Sequence, residues 1–147
     1  MTKKHFSKLP KHFLAVDVGN SHTVLGYFKD GNLAHVFRVS THPIGTADEI
    51  RLKVDALFKL HGHDLSKIEL IGVSSVVPQL TQVIRTSFKN SFFIDSKSPF
   101  SFEIQANPAD QVGADRLVNA EAVVQEYTSP AIIVDSGTAT TLCALTK

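Results

Sequence analysis

Residues 16–23 read VDVGNSHT, and residues 134–141 read VDSGTATT. The two stretches share Val, Asp, Gly and Thr in the same order and at the same spacing. Each one follows an apolar run, residues 13–16 in the first case and 132–134 in the second, which predicts a buried β-strand. The chain therefore carries the same strand-and-turn pattern twice, which indicates that one structural unit recurs along it.

The residue types in these turns suit the binding of phosphate. Glycine in each copy permits a tight turn, and the neighbouring Asn, Ser or Thr side chains offer hydrogen bonds. Backbone N–H groups of such a turn bind phosphate oxygens, and Asp17 and Asp135 at the strand ends are placed to hold a cation. Two such turns that face each other would clamp a nucleotide, whereas each copy taken alone also fits an ordinary Asx turn.

The overall composition favours a globular protein that binds a small molecule. The 147 residues are 43% hydrophobic, enough for an ordinary core. The net charge of +1 gives no indication of a nucleic-acid partner, and no run approaches the roughly 20 apolar residues of a membrane span. Cys143 is the single cysteine, so it has no partner for an internal disulfide, which fits a cytoplasmic protein.

The periodicity of the apolar residues predicts an α/β protein with a mixed sheet and covering helices. In chain order the predicted elements are strands at 13–18, 22–28 and 33–39, a helix at 47–61, a strand at 68–73, a helix at 78–88, a strand at 92–94, an irregular loop at 95–110, a helix at 112–127 and a β-hairpin from 132. We expect residues 1–12 to be a flexible N-terminus, 13–128 a first domain and 129–147 the start of a second domain that is truncated.

A second group of polar residues, Gly113-Ala114-Asp115-Arg116, lies where the last predicted helix begins. A carboxylate at that place could accept a hydroxyl proton while the neighbouring guanidinium holds an anionic group. The alternative is that Asp115 only complements the helix dipole and Arg116 lies on a solvated face.

Other polar pairs have simpler interpretations. His61 and His63 flank the glycine that ends a predicted helix, and no third metal ligand is evident beside them. Ser74 and Ser75 are predicted to follow a strand and to satisfy backbone groups ahead of Pro78.

Taken together, these motifs resemble those of the type III pantothenate kinase family. The segments that carry the resemblance are 17–21 (DVGNS), 74–78 (SSVVP), 107–108 (NP), 112–120 (VGADRLVNA) and 134–141 (VDSGTATT). The resemblance implies an actin-like (ribonuclease H-like) ATPase fold of two related domains, which also explains the internal repeat. It implies ATP-dependent phosphorylation of pantothenate, the first step of coenzyme A synthesis, by a cytoplasmic homodimer.

The resemblance also assigns roles to individual residues. ATP contacts fall on Asp17, Val18, Gly19, Asn20, Ser21, His22, Thr23, Val24 and Thr138. Pantothenate contacts fall on Gly113, Ala114, Asp115 and Arg116, with Asp115 as the catalytic base. Asp135 is expected to bind a monovalent cation, K⁺ or NH₄⁺. Asp17 is expected to bind Mg²⁺, directly or through a water molecule.

Some positions depart from the family pattern and leave other functions open. Gln105 stands where family members usually carry a substrate-contacting Tyr, and the loop before Gly113 is one residue longer at Asp110-Gln111. The segment 142–143 (LC) replaces a frequent aromatic or aliphatic residue followed by Asp. One alternative is a non-catalytic nucleotide-binding accessory factor of the same family, and another is an actin-like kinase for a different small alcohol. We expect the 147 residues alone to be inactive.

Overall fold

The computed structural model describes residues 9–127, 129–137 and 139–146. In chain order the elements are β1 (His12–Val18), β2 (His22–Lys29), β3 (Asn32–Ser40), α1 (Ala47–Leu60), β4 (Leu70–Ser75), α2 (Pro78–Ser87), β5 (Ser91–Phe93), α3 (Ala114–Glu126), β6 (Ala131–Ser136) and β7 (Thr140–Leu145). The chain forms two compact units, of which the first ends at Phe93 and the second begins at Ile94. The division into two actin-like domains at residue 128 stays a prediction.

The first unit is built on a five-stranded sheet with the order β3-β2-β1-β4-β5. Strand β1 pairs antiparallel with β2 on one side and parallel with β4 on the other, and β5 extends the parallel part. The predicted α/β class, a mixed sheet with flanking helices, is therefore confirmed. The arrangement agrees with the ribonuclease H-like fold that the family resemblance implies.

The core of the first unit lies between one face of this sheet and the helices α1 and α2. Alternate residues of β1, namely Leu14, Val16 and Val18, are buried against it, because successive side chains of a strand point to opposite faces. The helices contribute residues spaced by one turn, which are Val54 and Phe58 from α1 and Leu80 and Ile84 from α2.

Helix α1 begins where the sequence predicts. The Thr46 hydroxyl accepts the Glu49 N–H, and the Glu49 carboxylate accepts the Thr46 N–H at 2.7 Å, so the two residues form a capping box. Hydrogen bonds from the Thr46 backbone and hydroxyl lower the pKa of the Glu49 carboxyl below its usual value. The helix ends at Leu60, one residue before the predicted boundary.

The predicted start of β4 at Ile68 is wrong by two residues. The Asp64 side chain caps a 3₁₀ turn at Leu65–Lys67, and the N–H of Ile68 bonds to the carbonyl of Leu65 instead of joining the sheet. Strand β4 consequently starts at Leu70 and continues through Ser75. The serine pair that the sequence placed after the strand thus belongs to it.

The second unit contains a loop, helix α3 and the hairpin β6–β7. The Ser101 N–H and hydroxyl donate to the Glu121 carboxylate at 2.8 and 2.7 Å, and the Gln125 amide donates to both residues, so the loop is tied to α3. Partial burial favours the neutral Glu121 carboxyl, but these hydrogen bonds outweigh it and lower its pKa. Apart from a 3₁₀ turn at Ala109–Gln111, residues 95–110 have no regular structure, as predicted.

The hairpin joins β6 and β7 in antiparallel register, with Asp135 opposite Thr141 and Val134 opposite Leu142. One side of the hairpin is apolar and exposed at Ile132, Val134 and Leu142. Within the described residues, no helix combines the length and the apolar character that crossing a bilayer requires.

Replacing Phe58 by Ala should destabilise the first unit strongly. The ring is fully buried and packs on Tyr27 and Phe37 at centroid distances of 5.3 and 5.2 Å, so its removal leaves a cavity. We expect a loss of about 3–5 kcal/mol in the free energy of unfolding, measured by urea denaturation. Leu60 is 77% exposed on the same helix, and L60A should change this energy by no more than about 0.5 kcal/mol. Equal effects of the two substitutions would contradict this description of the core.

Stability should also fall as the pH drops below neutrality, because of His35. Burial and the nearby His61 and His63, with ring centroids 4.1 and 5.7 Å away, lower the His35 pKa. The unfolded chain therefore binds a proton at a higher pH than the folded chain, so stability is lost as the pH falls through the ordinary histidine value of about 6.5.

The substitution H35Q should flatten this part of the stability profile, measured as the urea midpoint between about pH 7.5 and 5.5. An identical slope in H35Q and in the unaltered protein would assign the pH dependence to other groups.

Candidate functional site

The first predicted phosphate turn connects β1 to β2, and Asp17 lies at its entrance. Asp17 is the second-last residue of β1, is exposed, and pairs with Val24 of β2 and Ser74 of β4. The next residue, Val18, is fully buried and anchors the end of the strand in the core. The carboxylate thus stands at the carboxyl end of a central strand, where α/β sheets usually bind ligands.

The turn itself is closed by one backbone hydrogen bond, from the Gly19 N–H to the His22 carbonyl oxygen at 3.0 Å. Asn20 and Ser21, between these residues, and His22 itself are exposed. A Cβ at position 19 would lie 3.1 Å from the His22 oxygen, so a side chain there would be crowded. The turn is therefore narrow and presents backbone and polar side-chain groups to solvent.

Thr41, which the sequence reasoning missed, holds this turn from the end of β3. Its hydroxyl donates to the Gly19 carbonyl at 2.7 Å, and its N–H donates to the Ser21 carbonyl at 3.0 Å. Because its single hydroxyl proton is used on Gly19, Thr41 accepts from the Thr23 hydroxyl at 3.0 Å. Thr41 and Thr23 are both buried, and no motif or periodicity distinguishes Thr41 from an ordinary loop residue.

The two serines at the end of β4 differ in their surroundings. Ser75 behaves as the sequence predicts, because its hydroxyl accepts the Val77 N–H at 3.2 Å and the Thr81 hydroxyl at 2.8 Å ahead of α2. The same prediction is wrong for Ser74, whose buried hydroxyl has no hydrogen-bond partner among the described residues. Ser74 is instead the register partner of Asp17 in the parallel pair β1–β4.

In the second unit, Asp115 lies in the first turn of α3. Gly113 is the N-cap and offers no side chain for capping, and the Asp115 carboxylate accepts the backbone N–H of Arg116 at 2.8 Å. Ala114 is buried and fixes the start of the helix. Asp115 therefore compensates the helix N-terminus while remaining partly exposed.

Arg116 is bound to the hairpin of its own unit. Its Nη2 donates to the Leu142 carbonyl at 2.9 Å, and its Nε donates to the Cys143 sulfur at 3.0 Å. A guanidinium has five N–H donors, so these contacts use only part of its capacity. They hold the side chain between α3 and β7.

A cleft of about 470 Å³ lies beside Arg116 in the second unit. Loop residues 101–106, the inner side of α3 and β7 surround it, and Gln105 is among the lining residues. It is large enough for a small organic molecule. Gln105 and Arg116 therefore line the same cavity.

The second predicted phosphate turn is described only in part. Asp135 lies on β6 and is exposed, and the Gly137 N–H donates to the Ala139 carbonyl at 3.2 Å. Thr138 lies outside the described residues, so its predicted ATP contact stays a prediction. Asp17 belongs to the first unit, whereas Asp115 and Asp135 belong to the second.

No group of three or more His, Cys, Asp and Glu side chains is arranged to hold a metal ion in the part of the chain that the structure describes. Any cation at Asp17 or Asp135 would therefore complete its coordination with oxygens from other sources, such as ligand phosphates and water.

The substitution T41V should destabilise the protein, because it leaves the Gly19 carbonyl and the Thr23 hydroxyl without their partner. We expect a loss of about 1–3 kcal/mol in the free energy of unfolding, measured by urea denaturation. Ser40 is its exposed neighbour, and S40A should change the energy by no more than about 0.5 kcal/mol. A loss for T41V that does not exceed that of S40A would rule out the role of Thr41.

Comparison with known proteins identifies the family of the chain. A model of the type III pantothenate kinase family matches residues 13–147. The chain is 41% identical over 140 residues to a type III pantothenate kinase of Rubrobacter xylanophilus, covering 90% of this chain and 52% of the relative. It is 38% identical over 139 residues to a type III pantothenate kinase of Halalkalibacterium halodurans, covering 91% and 55%. The chain thus spans about half the length of these curated relatives.

Among solved structures, a Bacteroides thetaiotaomicron protein with an actin-like ATPase fold and unknown function aligns with 75% of this chain and 37% of its own. The TM-score is 0.42 at 9% identity, and the fold assignment rests instead on the strand order of the sheet. The family match covers the sheet, the turn at Asp17, helix α3 and the hairpin. This chain belongs to the type III pantothenate kinase family.

Proposed function

We propose that this chain supplies the ATP-binding turn and the acceptor-activating carboxylate of a kinase that converts pantothenate to 4'-phosphopantothenate, the first step of coenzyme A synthesis. The observation that carries the proposal is the Asp17 turn. An exposed carboxylate there adjoins a narrow turn, braced by Thr41, at the carboxyl end of the central strand. Membership of the family supports pantothenate as the acceptor.

The donor atoms at the first turn fit Mg²⁺. Magnesium prefers oxygen ligands and is usually held by one or two carboxylates together with substrate phosphates and water. Asp17 provides the carboxylate, and the buried hydroxyl of its register partner Ser74 on β4 lacks a protein partner. When bound, the cation would neutralise charge on the β- and γ-phosphates.

The remaining turn residues would hold the nucleotide. Gly19, Asn20 and Ser21 offer backbone N–H groups and polar side chains for the phosphate oxygens, with Val18, His22, Thr23 and Val24 completing the segment. Thr138 and Asp135 of the second turn are proposed to contact ATP and to hold K⁺ or NH₄⁺, respectively. Exposed carboxylate oxygens such as those of Asp135 suit these cations.

Asp115 is proposed as the base for the acceptor alcohol. It would take the proton of the primary hydroxyl of pantothenate while the hydroxyl oxygen bonds to the γ-phosphorus. The bond from that phosphorus to the β,γ-bridging oxygen breaks, and ADP leaves. Gly113, Ala114 and Arg116 would position the acceptor, and the cleft beside Gln105 and Arg116 is large enough to receive it.

The proposed setting is a cytoplasmic homodimer with pantothenate and ATP as its small-molecule partners and without nucleic-acid or membrane partners. The near-neutral net charge of +1 and the single cysteine support this setting. The dimer follows from the family resemblance.

The test is transfer of labelled phosphate from γ-labelled ATP to pantothenate, with Mg²⁺ and K⁺ present, by the protein at its full encoded length. The substitution D115N should lower kcat by about 10²–10⁴-fold, because it removes the proton acceptor. The matched control is E126Q, an exposed carboxylate at the other end of α3, which should leave kcat unchanged. Absence of transfer by the unaltered protein, or an unchanged kcat in D115N, would contradict the proposal.

A second candidate function is nucleotide binding without phosphoryl transfer. The observation that favours it is the engagement of Arg116 with Leu142 and Cys143, combined with Gln105 in place of the usual Tyr. The substitution Q105Y distinguishes the two functions. Increased turnover would support a kinase with weakened acceptor binding, whereas nucleotide binding with no turnover in either form would support the binding function.

A further inference from the structure

Ser74 carries a polar atom with no assigned role. The residue is 6% exposed, and its hydroxyl is buried without a hydrogen-bond partner. Among the described residues, it is the one buried side-chain oxygen or nitrogen in that condition. Folded proteins rarely leave such atoms unpaired, because burial removes their water and nothing replaces it.

The position of Ser74 indicates what the hydroxyl could serve. Ser74 is the parallel register partner of Asp17, so the two side chains lie on the same face of adjacent strands, which run about 4.8 Å apart. Both residues lie at the carboxyl ends of their strands, which is the edge of the sheet that carries the turn. A serine side chain can turn between staggered rotamers and redirect its proton without moving the backbone.

The neighbouring Ser75, by contrast with Ser74, has hydrogen-bond partners for its hydroxyl. It follows Ser74 directly, but its side chain points to the opposite face of the strand. Its hydroxyl bonds to the Val77 N–H and the Thr81 hydroxyl, so it stabilises the connection from β4 to α2. The two adjacent hydroxyls therefore form a natural comparison, one with partners and one without.

We propose that Ser74 is a positioning residue for the cation site. When Mg²⁺ and nucleotide bind, its hydroxyl donates to the Asp17 carboxylate, which fixes the rotamer of that carboxylate and aims its other lone pairs at the cation or at a water bound to it. Hydrogen bonds of this kind hold metal-ligating carboxylates in many proteins, and their loss typically lowers metal affinity about 10–100-fold. The inference rests on the proposed function, because it needs a nucleotide-bound cation at Asp17.

The test separates ligand binding from folding, by using S74A in the protein at its full encoded length. Without ligand, S74A should melt at the same temperature as the unaltered protein or higher, because it removes an unpaired buried hydroxyl. With a non-hydrolysable β,γ-imido analogue of ATP, S74A should require about 10–100-fold more Mg²⁺ for half-saturation, measured by titration calorimetry. Binding of the same analogue in EDTA should not change.

The matched control is S75A, which should behave in the opposite way. It removes satisfied hydrogen bonds, so its melting temperature without ligand should fall, while the Mg²⁺ requirement stays within about twofold of the unaltered protein. This contrast is the readout that a structural role for Ser74 would not produce.

The outcomes are distinct. If S74A binds Mg²⁺ and the analogue as the unaltered protein does, or if S74A melts at a lower temperature as S75A does, the positioning role is overturned and the proposed function stands. If the unaltered protein does not bind the analogue with Mg²⁺ at all, the proposed function fails and the inference fails with it.

Discussion

The pairing of β1 with two different neighbours is the constraint on which the first unit depends. On one side β1 runs antiparallel to β2, so a narrow turn joins them and places Gly19 to His22 at the end of the sheet. On the other side β1 runs parallel to β4, so the carboxyl ends of both strands meet at that same edge. Asp17 is therefore next to the turn along the chain and next to Ser74 across the sheet.

The strength of this arrangement comes from the buried face of the sheet. Val18 directly precedes the turn and is inaccessible to solvent, so the strand end is held by the core and not by the turn itself. Thr41, directly after β3, adds a second support, because its hydroxyl and N–H donate to the Gly19 and Ser21 carbonyls of the turn. A turn braced in this way loses little conformational entropy on binding an anion.

In the second unit, side-chain hydrogen bonds stabilise the start of α3 and join this helix to β7. Helix α3 starts without a capping side chain at Gly113, and the Asp115 carboxylate compensates by accepting an N–H of the first turn. Arg116 then joins the helix to β7 through Leu142 and Cys143. A family motif expected to act on substrate thus also takes part in the packing of its own unit. Substitutions in this motif will affect both stability and any chemistry, which is why a carboxylate elsewhere on α3 is the appropriate control.

The sequence by itself determined the parts of this protein that depend on local preference. The apolar runs predicted β1 to β3, the spacing of apolar residues predicted α1, and the repeated VD-x-G pattern predicted where Asp17 and Asp135 would lie. Those features follow from backbone geometry and side-chain chemistry within a few residues. Family membership was also readable, because its motifs are short and ordered along the chain.

Only the tertiary structure decided the contacts between distant segments. Thr41 is 18 residues from Thr23, and nothing local to either shows that their hydroxyls meet. Ser74 and Asp17 become neighbours through the register of β1 and β4, two strands that lie far apart in the sequence. The sequence placed Ser74 beyond the strand, because local preference does not encode the 3₁₀ turn that delays β4 by two residues. Long-range register is set by the burial of a whole sheet face, and no single segment carries that information.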